Sequence, residues 1–173
     1  EGASAEGSGF DVQLQAVPAT VQYKPPATLP RPRVSGVQTA LVTGPAGEEI
    51  YTDRFGRIKV QFHWDREGKR DENSSCWLRV SQAWAGNQWG ALMLPRIGQE
   101  VIVSFLNGDP DRPLVTGALY NGAHQAPYSL PANKTRTTLE SQSSPGAGGY
   151  NELRMEDKKG SEQIFIRSEK DLD

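Results

Sequence analysis

DRFGRIKVQFHWD, residues 53–65, carries the clearest strand signal in the chain. After a turn-forming start at Asp53 and Gly56, polar and apolar residues alternate strictly, which is the pattern of a half-buried strand. The apolar set is Ile58, Val60, Phe62 and Trp64, and the polar set is Arg57, Lys59, Gln61 and His63. We therefore expect the apolar set in the core of a β-domain and the polar set on its outer face, where another protomer could dock.

Short apolar runs continue on both sides of this strand. They cover residues 34–42, 57–64, 76–81, 90–94, 100–106 and 114–120, with turn-rich loops between them. Eighteen Gly and twelve Pro disfavour long helices. The rhythm predicts an all-β chain whose residues 34–121 form a small five- to six-stranded OB-fold Greek-key barrel, with an SH3-like barrel as the alternative. On the strand at 100–106, Val101, Val103 and Phe105 share one face and are predicted core residues.

The flanks of this predicted barrel differ from it in composition. Residues 1–33 hold five prolines between Pro18 and Pro32, which predicts a stiff extended connector. Residues 122–149 have little apolar periodicity and are expected to be an extended linker. Because the chain begins with Glu1 rather than Met, we expect it to be a segment of a longer protein.

Two short strands are predicted after residue 150. Leu153 and Met155 share one face of the first strand, and Ile164 and Ile166 share one face of the second. So thin an apolar face cannot sustain a hairpin alone in water. Three copies around an axis would bury three such faces together, so these four residues are the predicted trimer axis.

Charge and motifs exclude several classes of function. Nineteen basic and 21 acidic residues leave a net charge of −2, which gives no field to attract nucleic acid. The two histidines, His63 and His124, lack neighbours at metal-ligand spacing, and no nucleophile elbow or phosphate-binding loop occurs. We expect no catalytic residue, no metal and no cofactor, and Cys76 is expected to be a buried, inert thiol.

The four tryptophans leave an alternative open. Trp64 falls in the core register, whereas Trp77 does not, and Trp84 and Trp89 flank the loop AGN. We expect the last three at an interface between protomers, because buried aromatic residues dominate interface energetics. The alternative is an OB-fold binding module that holds an oligosaccharide or a single-stranded nucleic acid on the same three rings.

Five segments occur in an order that points to one family. They are GPAGEEIYTDRFGRIKVQFHWDREGKRDENSSCWLRVSQ, WGALMLPRIGQEV, GDPDRP, LPANKT and NELRMEDKKGSEQIFIRSEKD. Together they resemble the type VI secretion spike proteins, the valine-glycine repeat protein G family, which is related to the puncturing spike of contractile bacteriophages. The resemblance implies a homotrimer with an N-terminal hub, an OB-fold collar and an intertwined β-helix, whose first strands lie at 150–173.

The same resemblance implies a mechanical, non-enzymatic role. In that family the trimer caps a tube built from the tube protein Hcp, contacts a PAAR-repeat tip protein, carries effector cargo and pierces the target membrane. It is made in the bacterial cytoplasm, assembled on the secretion apparatus and then secreted or injected. Related phage spikes carry a lysozyme domain between collar and needle, and residues 122–149 are too few to hold one.

Overall fold

The chain divides into two units, residues Glu1–Arg31 and Pro32–Asp173. The computed structural model describes residues 12–14, 16–146 and 148–173. In the first unit, the described residues form neither helix nor strand and are exposed to solvent. The first eleven residues of the predicted connector lie outside the described residues.

Five short strands of the second unit form one sheet. They are β1 (Gln38–Thr43), β2 (Lys59–Phe62), β3 (Arg79–Val80), β4 (Glu100–Phe105) and β5 (Pro113–Leu119), in the spatial order β2-β1-β4-β5-β3. All neighbours are antiparallel except β3 and β5. The backbones of Ile58 and Leu78 exchange hydrogen bonds of 3.0 and 2.8 Å, which join the chain just before β2 to the chain just before β3. The two edges of the curled sheet therefore meet, as the predicted all-β barrel requires.

The core of this barrel is a single cluster of aliphatic side chains. It consists of Ala40, Val42, Ile58, Val60, Leu78, Val101, Val103 and Val115, all at most 2% exposed. β-Branched residues predominate, since they pack well on a pleated surface. Phe62 and Phe105 lie at the margin of the cluster, partly buried, with ring centroids 6.0 Å apart.

Trp64 does not belong to this core, contrary to the sequence prediction. Strand β2 ends at Phe62, and a turn closed by the hydrogen bond from Asp65 N to Phe62 O follows it. The period-2 register therefore stops before Trp64, whose side chain is 67% exposed. Its indole stacks on the ring of Phe62 and donates a 2.8 Å hydrogen bond to Gln38 Oε1.

The turn before β2 is built by one carboxylate. Asp53 Oδ1 accepts the backbone N–H groups of Phe55 and Arg57, each at 3.0 Å, and Asp53 Oδ2 lies 2.6 Å from the Arg57 guanidinium. Gly56 has a φ of 68°, a value that glycine adopts at little cost. This turn fixes the direction in which the chain enters the barrel.

Gln61, predicted on the outer polar face, is instead only 8% exposed. Its amide nitrogen donates to the carbonyl oxygens of Asp65 and Gly68, and its amide oxygen accepts the N–H of Arg70 at 2.7 Å. The charged loop after β2 therefore folds back over the strand around this side chain. This explains why a polar residue is buried there, because a buried amide needs its hydrogen bonds satisfied.

One of the six apolar runs is not a strand, which leaves the five observed, and the expectation that Cys76 is buried was wrong. Residues 90–94 form no strand; only Gly90 takes part in an isolated bridge, with Ala85, and the side-chain amide of Gln82 binds the backbone of Met93 in place of a neighbouring strand. Cys76 is exposed, because β3 begins only at Arg79 and the residues before Leu78 lie in a surface loop.

A second sheet contains β6 (Arg136–Glu140), β7 (Glu152–Glu156) and β8 (Gln163–Arg167), all antiparallel, in that order. Strand β6 lies within the stretch predicted to be a linker. It alternates Thr137 and Leu139 with Arg136 and Thr138, but one leucine is too weak a signal to stand out. The two predicted strands therefore find a third partner within the chain itself. No helix among the described residues has the length and apolar character needed to span a membrane.

Candidate functional site

One face of the three-stranded sheet is a bare apolar surface. Strand pairing aligns Leu139, Leu153 and Ile166 in one row across the sheet and Thr137, Met155 and Ile164 in the next. The five apolar side chains of these rows are between 41% and 74% exposed. A contiguous apolar surface of this kind marks an interaction site. All four predicted axis residues lie in it, together with Leu139, which sequence reasoning missed.

The opposite face of this sheet is closed by a polar network. The Tyr128 hydroxyl donates a 2.5 Å hydrogen bond to Glu152 Oε1, which also accepts one of 2.9 Å from the Thr138 hydroxyl. Arg154 donates to the Tyr128 oxygen at 2.7 Å and stacks over the ring of Phe165, 4.3 Å from its centroid. Because Glu152 and Arg154 alternate with Leu153 along β7, the network covers one face and leaves the apolar face free.

Glu152 is a buried acid within this network, since its side chain is only 3% exposed. Burial acts to raise the pKa of its carboxyl, but the hydrogen bonds from Tyr128 and Thr138 and the charges of Arg154 and Arg136 outweigh burial, so the pKa lies below its ordinary value. Glu152 Oε2 lies 3.7 Å from Arg154 Nη1. The covered face is therefore closed by hydrogen-bonded and ion-paired side chains, in which Glu152 Oε2 and Arg154 Nε are buried without a hydrogen-bond partner.

The tip of the hairpin between β6 and β7 is fastened to the barrel. Glu49 accepts a 2.6 Å hydrogen bond from the Ser144 hydroxyl and one of 2.7 Å from the Gly146 N–H. The Arg96 guanidinium donates to the carbonyl oxygen of Gln142 at 2.7 Å. The hydrogen bonds from Ser144 and Gly146 hold the pKa of the Glu49 carboxyl below its usual value. These contacts couple the second sheet to the barrel at a defined position.

The three tryptophans predicted at an interface lie in two places. Trp77 is half-buried within its own barrel, 5.0 Å from the ring of Tyr51 and 5.1 Å from Lys59 Nζ. Trp84 and Trp89 are exposed and form an edge-to-face pair, with centroids 5.3 Å apart at 77°. Only this second pair presents aromatic surface outward, and the structure does not bring it together with Trp77.

Within residues 12–14, 16–146 and 148–173, no group of three or more His, Cys, Asp or Glu side chains is arranged to hold a metal ion. His63 Nε2 lies 3.9 Å from Glu100 Oε1, and that carboxylate also accepts a 2.8 Å hydrogen bond from Asn121. The chemistry available at the apolar face is burial of hydrocarbon surface rather than proton transfer.

Protein-family models match the residues of both sheets. Residues 42–120 match the type VI secretion system/phage-baseplate injector OB domain, and residues 137–173 match the bacteriophage T4 gp5 C-terminal trimerisation domain. The chain belongs to the type VI secretion spike family. The first match covers most of the barrel, which is thus an OB-fold, and the second covers Leu139, the four predicted axis residues and the rest of the apolar face.

Similar proteins carry the family name directly. The chain is 58% identical to type VI secretion system spike protein VgrG4b of Pseudomonas aeruginosa over 95% of its own length, and 56% identical to VgrG1b of the same species over 99%. It is 51% identical to spike protein VgrG3 of Vibrio cholerae over 96%. The chain spans only 20%, 24% and 16% of these three relatives. It therefore corresponds to a short portion of spike-family proteins that are several times longer.

Proposed function

We propose that this chain is the collar and the first needle strands of a trimeric, non-enzymatic type VI secretion spike that caps the tube and helps to deliver effectors into target cells. The observation that carries the proposal is the apolar face of the second sheet. It lies in the segment that matches a trimerisation domain, and its opposite face is closed by the Tyr128 network. Three such faces turned toward one axis would bury the exposed leucine, methionine and isoleucine side chains.

The domain organisation follows from this role. Residues 1–33 serve as the connector from a hub, 34–121 as the OB-fold collar, 122–149 as a linker that contributes strand β6, and 150–173 as the start of the intertwined β-helix. The hydrogen bonds of Glu49 and Arg96 to the hairpin tip support a collar that transmits force to the needle. Interleaved strands suit that task, because their backbone hydrogen bonds resist shear.

The partners of such a spike are a second and third copy of the chain, the tube protein Hcp, a PAAR-repeat tip protein and effector cargo, with the target membrane pierced mechanically. We place contacts to the tube, tip and cargo mostly in parts of the longer protein outside these 173 residues. Nucleic acid is no partner in this proposal, since a net charge of −2 supplies no excess of cations for phosphates. The spike is made in the bacterial cytoplasm and leaves the cell through the secretion apparatus.

A pair of charges placed on the axis tests the proposal. In the whole spike protein, Ile164→Asp with Ile166→Asp should prevent trimer formation, stop export of the tube protein and abolish killing of target cells. The matched control is Val37→Asp, which adds a carboxylate at an exposed apolar position before β1 and should leave all three readouts intact. A double variant that still sediments as a trimer and still kills target cells would refute the role assigned to this face.

A further inference from the structure

An open apolar cleft joins the barrel to the bare face of the second sheet. Met93, which belongs to the barrel, borders a cleft of about 620 Å³ whose apolar lining also includes Leu139, Leu153, Ile166 and Leu172. Charged residues, among them Glu140, Arg167 and Asp171, line the same cleft. The apolar side chains are exposed in the single chain. The apolar surface of the sheet therefore does not stop at the sheet but continues onto the barrel.

The barrel side of this cleft is held in place by hydrogen bonds. The side-chain amide of Gln82 donates to Met93 O at 3.1 Å and accepts the Met93 N–H at 2.8 Å. The loop just before it is closed by hydrogen bonds from Gly86 N to Trp89 O and from Ala91 N to Trp84 O, both 2.8 Å. A side chain at Gly86 would collide with the Trp89 ring, which packs directly on that backbone. Residues 84–93 therefore present Met93 at a fixed position, with little ordering entropy to lose on binding.

We propose that a second copy of this chain fills the cleft, so that the trimer interface extends from the needle strands onto the 84–93 loop of the collar. This inference rests on the proposed trimer and names a surface within it. Leu139, Leu153, Ile166 and Leu172 lie in the segment that matches the trimerisation domain, whereas Met93 lies in the segment that matches the OB domain. One continuous apolar surface thus includes residues of both matched segments, the OB domain and the trimerisation domain.

The geometry of a ring selects the part of the neighbour that occupies the cleft. In a cyclic trimer each copy meets its two neighbours through two different patches, and equivalent residues lie at the same height along the axis. Met93 borders the cleft at the row of Leu139, Leu153 and Ile166. Because Met93 and this row line one cleft, we place the same row of the neighbouring copy over Met93.

Photo-crosslinking from position 93 tests the contact. The chain carrying p-benzoylphenylalanine in place of Met93 is prepared with ¹⁴N and with ¹⁵N, and the two forms are mixed, unfolded, refolded together and irradiated. We expect heavy-light crosslinks between the residue 93 peptide and peptides of 137–173. Crosslinks found only within one chain, to another protein or not at all, in a sample that sediments as a trimer, would overturn the inference while leaving the trimer itself intact. A sample that never sediments as a trimer would overturn both.

A charge substitution gives an independent measurement. Because Met93 is 58% exposed and is held through its backbone, Met93→Asp should leave the thermal unfolding of the barrel unchanged. It should raise the dissociation constant of the trimer by about 10-fold or more, since an apolar contact is lost in each of three copies. The control Val37→Asp, at a position 63% exposed, should change that constant by less than about 2-fold. Equal dissociation constants for the two variants would contradict the proposed interface.

Discussion

Removal of the Glu152 carboxylate should loosen the second sheet while the barrel stays intact. Glu152→Ala removes the acceptor of the Tyr128 and Thr138 hydroxyls and leaves Arg154 without its buried carboxylate partner. Two hydrogen bonds to a charged group, each worth about 1.5 kcal/mol, give a loss of about 3 kcal/mol in the local stability of β7. At about 1.4 kcal/mol per factor of ten, amide hydrogen exchange in β7 should accelerate about 100-fold.

Hydrogen exchange read by peptide mass spectrometry measures this directly. Peptides covering 150–157 should exchange faster in Glu152→Ala, whereas peptides covering β4 of the barrel should not change. Glu140→Ala is the matched control, because Glu140 lies opposite Glu152 in the strand pairing but is exposed. Exchange in β7 that is accelerated less than about 10-fold, or accelerated equally by the control, would refute the assignment of the network as the support of the covered face.

Three further outcomes are expected. Acidification should weaken the second sheet, because the pKa of the Glu152 carboxyl is lower in the folded chain than its ordinary value of 4.5. The stabilisation by this carboxylate is complete above pH 4.5 and is lost as the pH falls through the pKa of the folded state. Hydrogen exchange of β7 measured against pH tests this. Gln61→Leu should lower the free energy of unfolding of the barrel in urea by about 2–3 kcal/mol, since the charged loop after β2 loses its buried hydrogen bonds to this side chain. Trp64→Phe should lower it by less than about 1 kcal/mol, because the Trp64 ring is exposed. Glu49→Gln should speed exchange at the Gly146 amide, which donates to the Glu49 carboxylate, without shifting the unfolding midpoint of the barrel; unchanged exchange there would contradict the fastening of the hairpin tip.

The alternation of apolar and polar residues predicts which side chains enter the barrel core, as long as those residues lie within a regular strand. Val60, Val101 and Val103 lie where the period-2 pattern places them, because each sits within a regular strand. The same rule fails at Trp64, since the pattern in the sequence continues two residues beyond the end of the strand. A periodic pattern shows which side chains share one face of a strand, but the residue at which the strand ends depends on tertiary contacts.

The remaining misses concern side chains whose roles depend on distant partners. Gln61 is buried by a loop that its amide organises, and no apolar period signals such an anchor. Strand β6 was hidden because Leu139 is its only large apolar residue, and its pairing with β7 becomes evident only in the folded sheet. The Tyr128 and Glu152 pair is separated by 24 residues, so its short hydrogen bond has no local sequence signature.

Mass in solution tests the central claim most directly. Sedimentation equilibrium of the chain over a concentration series should give a species of three times the 18.9 kDa chain mass, which Ile164→Asp with Ile166→Asp converts to a single-chain mass. The apolar rows would then be buried at a three-fold axis, as the account requires. A chain that remains at 18.9 kDa at every concentration, or a trimer that survives the double substitution, would contradict it.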